Sequence, residues 1–218
     1  MVAIDGPSGA GKGTVARAVA ARLGYRHIDT GAMYRAIAWK ALHEGADLAD
    51  EDAIAALAAR AQLTVGDGAV MVDGHDVASA IRTPEIDAAA AAVARQVRVR
   101  CVLIEQQRDA GRGGGIVMEG RDIGTVVFPQ ADVKIYLDAS PDERARRRAS
   151  DPAHAAGRNG AAVQDVATAL EARDRSDRTR TASPLMRADD AFEIDTTGVP
   201  IEEVITQVLA LIERRRRA

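Results

Sequence analysis

Nine consecutive residues, Gly6, Pro7, Ser8, Gly9, Ala10, Gly11, Lys12, Gly13 and Thr14, have the types and spacing needed to hold a polyphosphate. Glycines lack the Cβ that would block close approach, so successive backbone N–H groups can curl around phosphate oxygens. Lys12, expected in a solvent-facing loop, adds a point charge toward the outer phosphates. Gly-x4-Gly-Lys is the spacing of a P-loop, but Gly13 stands where Ser or Thr usually follows the lysine. Thr14, one place later, is the candidate Mg²⁺ ligand.

Three other clusters could carry chemistry: Asp29-Thr-Gly-Ala-Met-Tyr-Arg35, Glu119-Gly-Arg-Asp122 and Arg173-Asp-Arg-Ser-Asp-Arg-Thr-Arg180. A guanidinium fork suits phosphate and carboxylate oxygens bidentately. Taken alone, the third cluster reads as an ordinary charged helix face with i,i+4 pairs. Beside a P-loop it becomes a candidate second anion site.

The elements that must position these groups alternate between strand and helix. Met1 to Asp5 is an apolar run that reads as a buried strand, and Val15 to Leu23 has helical periodicity, so the phosphate would sit at a helix N-terminus. Arg26 to Ile28 reads as a second strand and Gly31 to Glu44 as a helix; another helix starts at Asp50. Between Leu63 and Val77 short β-prone runs are split by Asp67-Gly68 and Asp73-Gly74, which predicts an antiparallel meander, with an irregular surface loop as the alternative. Pro84 to Asp109 is helical with a break near Val97, and Gly111 to Gly115 is a connector. Strands follow at Ile116–Met118, Val133–Leu137 and Phe192–Asp195, and helices at Pro141–Arg148, Ala162–Arg180 and from Pro200 onward. Asp151 to Gly160 reads as mobile and Arg214 to Arg217 as a solvated, frayed tail. Five strands with helical crossovers imply a parallel sheet with its ligand site at the carboxyl ends of the strands.

Composition narrows the function classes. The 218 residues are 47% apolar, yet no segment has the length of a membrane span and none reads as a signal peptide, so a soluble cytoplasmic enzyme is expected. Cys101 is the single cysteine, and His27, His43, His75 and His154 lack metal-ligand spacing. Of 29 basic residues only Lys12, Lys40 and Lys134 are lysines, so arginine abundance is compositional and only arginine placement is informative.

The motifs, in order and from end to end, resemble those of the bacterial cytidylate kinases. To the clusters above they add Ile81-Arg-Thr83, the extension of Glu119-Gly-Arg-Asp122 through Ile-Gly-Thr-Val-Val-Phe-Pro129, and Lys134-Ile-Tyr-Leu-Asp-Ala-Ser140. The Gly-Arg-Asp-x-Gly-Thr-Val-Val-Phe-Pro run and the β insertion are the most specific, since generic nucleoside monophosphate kinases lack them. The resemblance implies an α/β fold of the P-loop NTPase type: a five-stranded parallel sheet flanked by helices, a small antiparallel β insertion and a helical lid. Its parts would be a core of 1–30, 98–140 and 181–218, an acceptor region of about 31–97 and a lid of about 141–160. The implied reaction moves the ATP γ-phosphoryl group to CMP or dCMP with Mg²⁺. Catalysis would involve Lys12, Arg121 and Arg180. Arg35, Arg121 and Arg180 would hold the acceptor phosphate, Arg100 and Asp122 would read cytosine with Thr30 close by, and Arg173 and Asp177 would face the sugar. Arg144, Arg147 and Arg148 would belong to the lid over ATP. The family often places a base-contacting serine where this chain has Ala91. A monomer acting on ATP and CMP or dCMP, without nucleic acid or membrane partners, is the expectation.

Two other classes were open at this level. A regulatory GTPase needs an Asn-Lys-x-Asp segment, and Asn159 is the only asparagine. A nucleic-acid binder could use the arginines, but the net charge is −3 and aromatic residues make up only 3%. A kinase for UMP, AMP or another small acceptor is the nearer rival.

Overall fold

The computed structural model describes residues 1–151 and 162–217. Strands β1 (Val2–Asp5), β2 (Arg26–Asp29), β6 (Ile116–Gly120), β7 (Val133–Asp138) and β8 (Phe192–Asp195) form one parallel sheet in the order β2-β6-β1-β7-β8. A parallel sheet needs both faces covered. Val2, Ile4, Val117, Ile135 and Leu137 pack on one face against helices α1 (Lys12–Leu23) and α8 (Ile201–Arg217). Ala3, Ile28, Ile116 and Met118 point the other way, toward Ile104 of helix α5 (Val97–Gly111) and the π-helical turn Ile123–Val127. The alternation of inward faces along each strand therefore fixes the register, which brings Asp5 beside Gly120 and Asp29 beside Glu119.

Helices α2 (Thr30–His43), α3 (Glu51–Arg60) and α4 (Pro84–Val93) build a second core with α5 around Ile37, Ile54, Leu57 and Leu103. Their starts are legible as caps. Asp29, Asp50 and Thr83 each accept an N–H from the first turn, and Pro84 sits where its missing N–H costs nothing. The meander is present as an antiparallel sheet of β3 (Leu63–Gly66), β4 (Ala69–Val72) and β5 (His75–Asp76). Its turns put Asp67 and Gly68 at φ 50° and 88°, and Asp73 and Gly74 at 48° and 80°, as a two-residue hairpin of matching twist requires. The first turn reaches the main sheet. Asp67 donates its N–H to the His27 carbonyl at 3.3 Å and accepts the His27 N–H on Oδ1 at 3.4 Å.

Helix α6 (Pro141–Ser150) packs on α7 (Val163–Thr179) through Ala145, Val166 and Leu170. Of the stretch expected to be mobile, only Asp151 is among the described residues. The expected frayed tail is instead helical through Arg217, and the Arg216 guanidinium lies 5.5 Å over the Tyr25 ring. The π-turn after Asp122 was not foreseen. Asp5 explains it: its two carboxylate oxygens accept the N–H groups of Ile123 (2.9 Å) and Gly124 (2.7 Å).

Candidate active site

A cleft of about 1060 Å³ runs along the carboxyl ends of the strands. At one end lies the P-loop. Gly6 has φ 145°, and a Cβ there would lie 1.9 Å from the Leu137 carbonyl oxygen, so only glycine can lead β1 into the loop. Gly11 caps helix α1 with no side chain to offer, which leaves the helix's N-terminal N–H groups available to an anion. Gly13 now has a reason. A Cβ there would come within 3.2 Å of Glu119 Oε1, so the carboxylate stands where the usual hydroxyl side chain would go. His27 Nε2 lies 2.9 Å from the same oxygen.

Lys12 is not in a solvent-facing loop. It is the first residue of α1, 6% exposed, and its Nζ donates to the Pro7 carbonyl at 2.7 Å. Burial, then Arg121, lowers its pKa to about 7, although Glu119 and Asp5 pull the other way. Asp5 is buried too, and that raises its carboxyl to about 6 despite the N–H groups of Gly124 and Ile123. A buried amine shifted this way beside a glycine-rich loop marks a candidate anion site.

The other end of the cleft is made of arginines interleaved with aspartates. Arg35 donates to Asp29 Oδ2 at 2.9 Å, Arg100 to Asp122 Oδ2 at 2.5 Å and Arg121 to Asp177 Oδ2 at 2.9 Å. Arg180 Nη2 lies 3.5 Å from Asp122 Oδ1, and Arg173 reaches Asp87 at 3.8 Å. Arg100 is fully buried, with its guanidinium 5.3 Å over the Tyr34 ring. The buried Nε atoms of Arg35 and Arg100 and Nη2 of Arg180 have no hydrogen-bond partner, so the cluster has donors to spare. Burial would raise the Asp29 carboxyl, but Arg35 and the Ala32 N–H hold it below its ordinary value. Burial and then Arg173 lower the Arg148 guanidinium to about 10, a sign of crowded positive charge.

Most of the residues expected from the sequence meet in this one cleft. Ser8 to Thr14, Thr30, Arg35, Arg100, Arg121, Asp122, Arg147, Arg148, Arg173, Asp177 and Arg180 all line it, as does Ala91. Three do not: Gly6 and Pro7 shape the loop from behind, and Arg144 is buried with its guanidinium on Ala139 O, Ser8 O and Asp174. Arg144 is thus taken up by protein acceptors and not turned toward the cleft. The segment Thr196–Ile201 was missed: Thr196, Gly198, Val199, Pro200 and Ile201 line the cleft, and Arg147 ties to Thr196 Oγ1 at 2.9 Å. No motif marks it. Only its place after the last strand of a parallel sheet could have pointed there. Among the described residues no three His, Cys, Asp or Glu side chains are grouped to hold a metal, so oxygen donors beside the P-loop would have to share an ion with a ligand's phosphates. No helix among them is long and apolar enough to cross a membrane.

The profile of the Cytidylate kinase family matches residues 2–214. The chain belongs to the cytidylate kinase family. It is 46% identical to the cytidylate kinase of Solibacter usitatus over 99% of this chain and 93% of that one. With the cytidylate kinase of Pelotomaculum thermopropionicum it shares 47% identity, over 99% and 97%. Its fold is also that of an uncharacterized protein from Eubacterium ventriosum, at TM-score 0.56 and 10% identity over 97% of both chains.

Proposed function

We propose that this chain transfers the γ-phosphoryl group of ATP to the 5′-phosphate of CMP or dCMP, giving ADP and CDP or dCDP. The observation that carries the reading is a single cleft with a P-loop at one end and, at the other, an arginine cluster built around the buried Arg100–Asp122 pair. A carboxylate can accept from the cytosine 4-amino group. Uracil offers a carbonyl oxygen there, with no proton to share. With Ala91 in place of a serine, base reading rests on Arg100 and Asp122, with Thr30 turned to the Glu119 carbonyl at 2.7 Å.

An acceptor phosphate oxygen attacks Pγ in line as the bond from Pγ to the β,γ-bridging oxygen breaks. That oxygen leaves on ADP, and the electron pair goes with it. The acceptor is already ionised near neutral pH, so no strong base is needed and the work is alignment and charge stabilisation. We assign Arg35, Arg121 and Arg180 to the acceptor phosphate, Lys12 and the N–H groups of Gly9 to Thr14 to the donor phosphates, and Arg173 and Asp177 to the sugar. Arg147 and Arg148 cover the donor end, where Thr196 to Ile201 would receive the adenosine. A nucleotide kinase of this kind needs a divalent metal, which we take to be Mg²⁺. Thr14 and Glu119 are the residues that would hold it with the nucleotide, and it would supply charge for the β- and γ-phosphate oxygens. In this reading residues 1–30, 98–140 and 181–218 are the core, about 31–97 the acceptor region and about 141–160 the lid of a cytoplasmic monomer. ADP release measured across CMP, dCMP, UMP, AMP, GMP and shikimate tests it. The highest kcat/KM is expected for CMP or dCMP, and a clear preference for any other acceptor overturns the assignment.

A further inference from the structure

Arg144 and Asp174 lie outside the cleft, at 6% and 3% exposure, and are paired to each other beneath the P-loop. We propose that this pair is a positioning bracket that couples the acceptor end of the cleft to the phosphate-binding loop. The point of attachment is Ser8. Its N–H donates to Asp174 Oδ1 at 3.3 Å, its carbonyl accepts from Arg144 Nη1 at 3.0 Å, and its hydroxyl accepts from Arg148 Nη2 at 2.7 Å. All three polar groups of one P-loop residue are thus held by α6 and α7. Gly9 leaves no slack beside it, since a Cβ there would lie 2.9 Å from Arg144 Cβ.

The other end of the bracket is set by helix geometry. Arg173 and Asp177, one turn apart on α7, face the cleft, and Asp177 holds Arg121. Asp174 follows Arg173 directly and points to Ser8, so α7 carries acceptor-facing and loop-facing groups on one rigid rod. A shift of α7 toward a bound nucleotide must move Asp174, and the buried charge pair transmits that shift because separating it is costly. Binding at one end then changes affinity at the other, reciprocally.

This inference rests on the cleft being a joint site for ATP and CMP, and the test separates the two. A non-hydrolysable ATP analogue and CMP are titrated by calorimetry, each alone and with the other present. The unmodified chain should bind each about fivefold or more tightly when the other is bound. Asp174→Asn and Arg144→Lys should bring that factor close to one. A pair that only supports the fold would lower Tm and leave the factor unchanged, and that outcome overturns the proposal, as does a factor of one in the unmodified chain. Should the variants not fold, hydrogen exchange of the unmodified chain decides. CMP alone should slow exchange in the peptide covering Ser8 and Gly9 several-fold, and CMP that binds without doing so refutes the bracket. If CMP does not bind at all, it is the substrate assignment that fails.

Discussion

Replacing Lys12 by methionine should make the unliganded protein more stable while removing its activity. The lysine is buried, and its pKa falls from 10.5 to about 7 chiefly through burial. That fall corresponds to about 5 kcal/mol of cost for keeping the amine charged at pH 6. Methionine has a similar length and carries no charge. It gives up the bond to Pro7 O, worth about 1 kcal/mol, and fits imperfectly, at about 1 kcal/mol more. Lys12→Met should therefore gain roughly 2–3 kcal/mol at pH 6. The sign of the pH dependence follows from linkage. Between pH 7 and 10.5 the unfolded chain holds a proton on Lys12 that the folded chain has released, so wild-type stability rises across this window and the cost is fully present only below it. The variant's advantage should be gone by about pH 9.5. Urea denaturation of both unliganded proteins at pH 6 and 9.5 reads the gap, and an ADP-release assay should find turnover down by at least about a hundredfold. A variant less stable at pH 6 by an amount that does not change with pH would refute the strained lysine. Near-normal turnover in the folded variant would refute its part in phosphoryl transfer.

Asp122→Asn should reduce the preference for CMP over UMP in kcat/KM by about tenfold or more, since one charge-assisted bond is exchanged for a donor that suits uracil; equal slowing of both substrates would make Asp122 a support for Arg100 and Arg180 only. Arg35→Lys and Arg180→Lys keep the charge but lose the planar fork, so CMP turnover should drop at least about tenfold while ATP binding without CMP hardly changes. Arg214→Lys, on the exposed last turn of α8, is the control, and three variants behaving alike would sink the acceptor clamp. Gly6→Ala should lose more than about 4 kcal/mol or fail to fold, because its Cβ would be driven into the Leu137 carbonyl; a thermal melt near that of the unmodified chain would show that the loop can move aside.

What was legible in the sequence was whatever local rules decide. The Asp-Gly pairs at 67–68 and 73–74 specified hairpin turns, Asp50 marked a helix start, and the apolar strands had to pair in a parallel sheet. The arginine–aspartate cluster was legible as one site only because family motifs tied residues as far apart as Arg35 and Arg180. What escaped depends on contacts between distant segments. The π-turn forms because Asp5, 118 residues away, takes the N–H of Ile123. Lys12 is buried with its Nζ on the Pro7 carbonyl, where the glycine-rich loop read alone implies exposure. Arg144 reads as one more lid arginine beside Arg147 and Arg148, and the acceptors Asp174, Ser8 O and Ala139 O, distant in sequence or fixed only by the fold, turn it inward. The last helix reaches Arg217 where composition suggested fraying, and Tyr25 stacks on Arg216 within that last turn.

The contact between Asp67 and His27 bears on how this protein stays apart from its neighbours in a crowded solution. β2 is a margin of the main sheet, and an unpaired margin is a template for a strand from another chain. The outward N–H and C=O of His27 are both taken by Asp67, so the hairpin tip occupies the place an intruding strand would use. At the opposite margin Glu193 and Asp195 are exposed and put two negative charges on β8. The inserted hairpin therefore also covers the β2 margin. Shortening it would uncover a strand margin, and self-association would accompany any loss of catalysis.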